Sequence, residues 1–152
     1  MDNSRLQDEI FALKKDGYSN SQFRFLNVGT LSEHMIFAMR TNSGKVYTLR
    51  IDIPNDYPNS KPEVYITNPK GLITKSGESM LATNASMHTL TGKDGCVRIC
   101  HFGDISWGPR QSLAKVITKC RLWIEVYEAH LQTGEPIGNI LPHDPNTARR
   151  MY

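Results

Sequence analysis

Apolar side chains recur every three to four residues at the start of the chain, at Leu6, Ile10 and Leu13, with polar residues between them. That spacing is helical, and the narrow apolar face places the helix on the outside of a larger body. Ser4 and Gln7 read as a capping box at its start, and Gly17 stops it. The period then shortens to two. Residues 23–29, 33–42 and 45–58 read as strands. In the third, Tyr47, Leu49, Ile51 and Ile53 share one face and Thr48, Arg50 and Asp52 the other. A fourth strand over residues 63–69 turns Val64 and Ile66 inward. Short connections, among them Asn42-Ser43-Gly44, predict an antiparallel meander.

Residues 70–91 have no clear period and read as a long surface excursion, a type of segment that often carries function. Helical spacing returns after Pro109, a residue suited to the first helical position. Leu113, Val116, Ile117, Cys120, Ile124, Tyr127 and Leu131 make one stripe, which Gly134 ends. The expected class is therefore α+β: an N-terminal helix, a four-stranded antiparallel meander sheet, an irregular loop bearing the candidate chemistry, and a long C-terminal core helix. Residues 1–135 form a single domain in this reading, and 136–152 a proline-containing tail.

A length of 152 residues suits one domain with a real core. The net charge of +3 is spread along the chain, which argues against nucleic acid as a partner and leaves room for an acidic protein. Apolar runs fall short of the roughly 18 residues of a membrane helix. The first ten residues lack an apolar signal core. A cytoplasmic location follows as the expectation, with thiols kept reduced.

The candidate chemistry lies in "GKDGCVRICHFGDISWGP", residues 92–109. If 96–100 is extended, Cys96, Arg98 and Cys100 point one way and Val97 and Ile99 the other, and Cys100 ends the strand. A nucleophile suits that position, held on one side and open to a partner on the other. Cys96, Cys100, His101 and His88 could instead supply four zinc ligands, although their spacing is not a standard zinc pattern. A cysteine with His88 or His101 as base, or an idle reduced thiol, are the remaining readings. Cys120 lies in the apolar helical stripe and reads as core.

Several motifs resemble the ubiquitin-conjugating enzymes. "DYPNSKPEVYITNP" is similar to their Tyr-Pro-x-x-x-Pro segment between the third and fourth strands. "GCVRICHFGDISWGP" is similar to their active-site segment with its following Trp-x-Pro, and "SLAKVITKC" to the start of their core helix. The likeness spans residues 4 to about 132. "WIEVYEAHLQTGEP" looks more like bacterial members, which occur with ubiquitin-like proteins, activating enzymes and JAB-type peptidases, several of them in antiphage defence.

The resemblance implies a transferase that takes a ubiquitin-like protein from an activating enzyme as a thioester on Cys100 and passes it to a lysine of a protein target. A catalytically inactive binding module for such a modifier is the alternative. No cofactor, metal or membrane is implied. His88 takes the place of the histidine in the family's His-Pro-Asn tripeptide, and its oxyanion asparagine is missing, with Asn84, Thr89, Thr91 or a backbone N–H left to substitute. Asp104 is the expected acid that orients the attacking amine, and His101, either a base or a solvated loop residue, stands with Trp107 and Pro109 at the rim. Arg5, Lys14 and Lys15 on the first helix would meet the activating enzyme, and Tyr57, Pro58 and Asn59 would form a partner-facing loop. Asn59 stands where the family often has an aromatic residue gripped by RING-type ligases.

Overall fold

A computed structural model describes residues 1–101 and 106–141. The first helix, α1 (Asn3–Lys15), is capped by Asp2, whose carboxylate accepts the Arg5 N–H at 2.8 Å. The cap therefore falls two residues before the expected Ser4. Four strands follow as read: β1 (Phe23–Leu26), β2 (His34–Arg40), β3 (Val46–Asp52) and β4 (Glu63–Asn68). Tyr47, Leu49, Ile51, Ile53, Val64 and Ile66 are all buried, so the period-two reading of β3 and β4 holds.

The sheet has six strands rather than four. β5 (Thr89–Lys93) and β6 (Cys96–Ile99) extend it in the order β1-β2-β3-β4-β6-β5, and every pairing is antiparallel. The two extra strands form a hairpin closed by Asp94 and Gly95, both at positive φ (55° and 74°), as a tight hairpin turn requires. β6 enters between β4 and β5, with Val64 opposite Ile99 and Ile66 opposite Val97. The excursion that precedes them is less loose than its composition implied. Leu72, Met80 and Met87 are buried in it, Ile73 bridges to Ser79, and a 3₁₀ turn covers Ala85–Met87.

The long helix α2 (Leu113–Thr133) begins four residues after Pro109, with Ser112 as its cap, and ends at Gly134 (φ 79°). Its apolar stripe packs on the inner face of the sheet, where Phe37, Leu49, Val97 and Ile99 meet Ile117, Cys120 and Trp123 in one continuous core. A short helix, α3 (Ile137–Ile140), follows, and Ile137 is fully buried in that core. Ile137 thus packs in the same core as α2. Among the described residues, no helix is long and apolar enough to cross a membrane.

Candidate active site

Val97 and Ile99 point into the core with no exposure, so strand alternation sends Cys96, Arg98 and Cys100 toward the outer face of the sheet. The Cys100 N–H donates to the His88 carbonyl at 3.0 Å. That carbonyl also accepts from the Trp123 indole Nε1 at 3.1 Å, a donor shared with the Met87 carbonyl at 3.1 Å. A fully packed side chain of α2 therefore holds the oxygen that holds the Cys100 backbone. His88 itself is left-handed (φ 50°, ψ 45°), a region few non-glycine residues occupy. Its N–H donates to Ala85 and its carbonyl is doubly engaged, so the surrounding bonds enforce the conformation. His88 thus reaches Cys100 through its main chain.

The thiol is not bare. Cys100 is 7% exposed, and its bond to the His88 carbonyl continues the strand ladder one residue beyond Ile99. It nevertheless lies outside the continuous apolar core, which takes in Cys120 and excludes both Cys96 and Cys100. Burial raises the Cys120 thiol far above its ordinary value, so that sulfur is inert packing, as the helical stripe predicted.

His101 corrects its expected place at a solvated rim. It is 9% exposed, and Nδ1 lies 3.4 Å from the Ile99 carbonyl. Burial lowers its pKa to about 3, against the bond to Ile99, with Lys61, Arg98 and Lys119 lowering it further. The ring is neutral at pH 7 and a poor base. Trp107 is buried too, its Nε1 donating to the Pro58 carbonyl at 2.8 Å and its ring 6.1 Å from that of Tyr57. This brings the Tyr57-Pro58 loop and Trp107 together. Asp104 lies outside the described residues.

Arg5 and Tyr57 were expected to face partners, and both turn inward. Arg5 Nε donates to Glu9 at 2.8 Å, and its amino groups donate to the carbonyls of Gln111 (2.7 Å) and Pro109 (3.2 Å). The Tyr57 hydroxyl donates to Glu9 at 2.6 Å. Glu9, 1% exposed, uses its other oxygen to accept the Leu113 N–H at 2.8 Å, filling a donor left open at the start of α2. Burial and the adjacent Glu9 carboxylate push the Tyr57 phenol well above its ordinary value, so it stays a neutral donor. The rest of the expected partner surface is outward: Lys14, Lys15 and Asn59 are exposed and Pro58 partly so.

Sequence reasoning passed over Glu9 and Trp123. Glu9 sits on the inner side of α1 one turn before Leu13, where a carboxylate needs partners, and Arg5 stands one turn before it. That pair was the available signal. Of the candidates to replace the missing asparagine, Thr89 is fully buried and donates its hydroxyl to the Ala82 carbonyl, and the Asn84 side-chain Oδ1 accepts from Ser86 and Met87 N–H to cap the 3₁₀ turn. Thr91 shares a 2.9 Å contact with Thr83. Among the described residues, no three His, Cys, Asp or Glu side chains are grouped to hold a metal ion, so Cys96, Cys100, His101 and His88 are not brought together as a ligand set. In comparisons with protein-family models, curated proteins and solved structures, the chain matches none of them.

Proposed function

We propose that this chain is a ubiquitin-conjugating-enzyme-like carrier that receives a ubiquitin-like protein on Cys100. The observation that carries the reading is the setting of that residue. Its backbone is tied through the His88 carbonyl to Trp123 in the core, while its side chain leaves the core on the outer side. A positioned sulfur at the end of a rigid strand is what acyl transfer needs. Trp107 and the Tyr57-Pro58 loop, joined by the 2.8 Å bond to the Pro58 carbonyl, form a firm wall on the chain that continues from it.

In this reading the Cys100 thiolate attacks the carbonyl carbon of the thioester on the activating enzyme. A new carbon–sulfur bond forms, and the activating enzyme's thiolate leaves. A lysine amine of the target later attacks the same carbon, loses a proton to a base and displaces Cys100. His101, neutral and buried, is packing beneath the site and not the base. Lys14 and Lys15 offer the activating enzyme an exposed basic end of α1.

The test is to mix the full chain with an activating enzyme, ATP and a ubiquitin-like protein from the same genome. The reading predicts an adduct that a reductant cleaves and that Cys100→Ser turns into a reductant-resistant ester or abolishes. An adduct that persists in Cys100→Ala contradicts it and moves the nucleophile to Cys96. One observation favours a second reading, a binding module that carries no modifier: the 7% exposure of Cys100. Saturable binding of the modifier with no adduct under these conditions selects that module.

A further inference from the structure

The outer face of the sheet holds a cavity of about 300 Å³ that the thioester chemistry does not use. Arg50 on β3, Lys70 after β4 and Lys93 at the end of β5 surround it, and Tyr65, Thr67 and Cys96 line its floor. Their hydrogen-bonding states decide what it can accept. The Tyr65 hydroxyl is spent on Glu63 at 2.7 Å and the Thr67 hydroxyl on the Thr48 carbonyl at 3.2 Å, so both serve as walls. Asp52 holds two of the cations in place, accepting from Arg50 Nε at 2.7 Å and from Lys93 Nζ at 3.2 Å. Lys93 also lies 4.8 Å over the Tyr65 ring.

Donors remain. The two terminal amino groups of Arg50 have no partner among the described residues, and neither does the Lys70 ammonium. Asp94 is the one carboxylate on the lining, and with Asp52 beside it three cations stand against two carboxylates. A cavity whose unused polar groups are cationic N–H donors takes an acceptor-rich anion. Three cationic groups arriving from three segments match the three oxygens of a phosphoryl group better than the two of a carboxylate. The volume stands at the small end of ligand sites, enough for a phosphate with a short organic body.

We propose that the cavity between Arg50, Lys70 and Lys93 is a binding site for a small phosphoryl-bearing ligand, free phosphate or a phosphomonoester. It stands independently of the carrier reading. The test is an amide NMR titration of the full chain at constant ionic strength with inorganic phosphate, glycerol 3-phosphate and acetate. The proposal predicts saturable shifts centred on Arg50, Tyr65, Lys70 and Lys93 to Cys96, with half-saturation at about 1 mM or tighter for at least one of the two phosphates. Tighter binding of glycerol 3-phosphate identifies an ester as the ligand, and equal or weaker binding identifies free phosphate. Lys70→Gln, a change at an exposed position, should weaken binding about tenfold or more while leaving the dispersed spectrum intact. Phosphate should also slow alkylation of Cys96 and leave Cys120 unaffected. Linear, unsaturated shifts, or equal binding by Lys70→Gln and the parent chain, overturn the site. Half-saturation by acetate at the same concentration overturns the phosphoryl assignment.

Discussion

Val97 and Ile99 on one side of β6, and Cys96, Arg98 and Cys100 on the other, alternate residue by residue, yet they belong to different environments. The inner side chains are wholly buried among Val64, Ile66 and the α2 stripe, and each contributes on the order of 1.5–3 kcal/mol by leaving water. The outer face is held by polar contacts: Arg50 and Lys93 to Asp52 at 2.7 and 3.2 Å, Arg98 to Glu63 at 3.6 Å, Tyr65 to Glu63 at 2.7 Å. Partly exposed pairs of this kind contribute about 0–1 kcal/mol each. One strand therefore takes most of its burial energy from its inner side and makes mainly polar contacts on its outer side.

The largest effect expected from breaking this division comes at Trp123. Trp123→Ala empties a large buried volume and should destabilise the fold by about 3–5 kcal/mol in urea unfolding. Trp123→Phe keeps most of that packing and removes the donor to the His88 carbonyl, so it should slow adduct formation on Cys100 more than it lowers stability. Next comes His101. The unfolded chain protonates near the ordinary 6.5 and the folded ring only near 3, so the unfolded state binds more protons between those values. Stability from this ring is complete above about pH 6.5 and falls as pH drops toward 3, by up to about 1.4 kcal/mol per unit. Urea midpoints at pH 7 and pH 5 should separate less in His101→Phe than in the parent chain.

Glu9→Gln should cost about 2 kcal/mol, because an amide oxygen replaces the carboxylate that serves Arg5, Tyr57 and the Leu113 N–H. The smallest effect belongs to the outer face. Arg98→Gln, which removes the 3.6 Å pair with Glu63, should change stability by less than about 1 kcal/mol in urea unfolding. A larger loss of stability there would show that the outer face is structural too.

Strong periods made most of the fold legible. The alternation of β3 and the stripe of α2 each had one solution, and both appear as read. β5 and β6 were harder because they are four or five residues long and mix apolar, polar and glycine positions. Their turn was nonetheless written in the chain: Asp94-Gly95 is a favoured pair for a two-residue hairpin loop. Ser4 was a plausible cap that lost to Asp2, two residues away, since several polar residues there can accept the same N–H groups. At the site, position along the chain indicated the end of β6 as the place for Cys100, but not how covered it is. Its main-chain anchor is the His88 carbonyl, twelve residues earlier, which no local pattern reports. Arg5 and Tyr57 were expected at partner surfaces through the family resemblance alone, and the bonds to Glu9 draw both toward it.

A carrier cysteine at position 100 must be a different kind of sulfur from Cys120, and site-resolved alkylation of the native chain compares them most directly. Iodoacetamide at pH 7.5, followed by mass spectrometry of each cysteine peptide, should label Cys100 first, Cys96 more slowly and Cys120 only on unfolding. Labelling of Cys100 as slow as that of Cys120 would contradict the claim that this thiol can be reached by another protein's thioester.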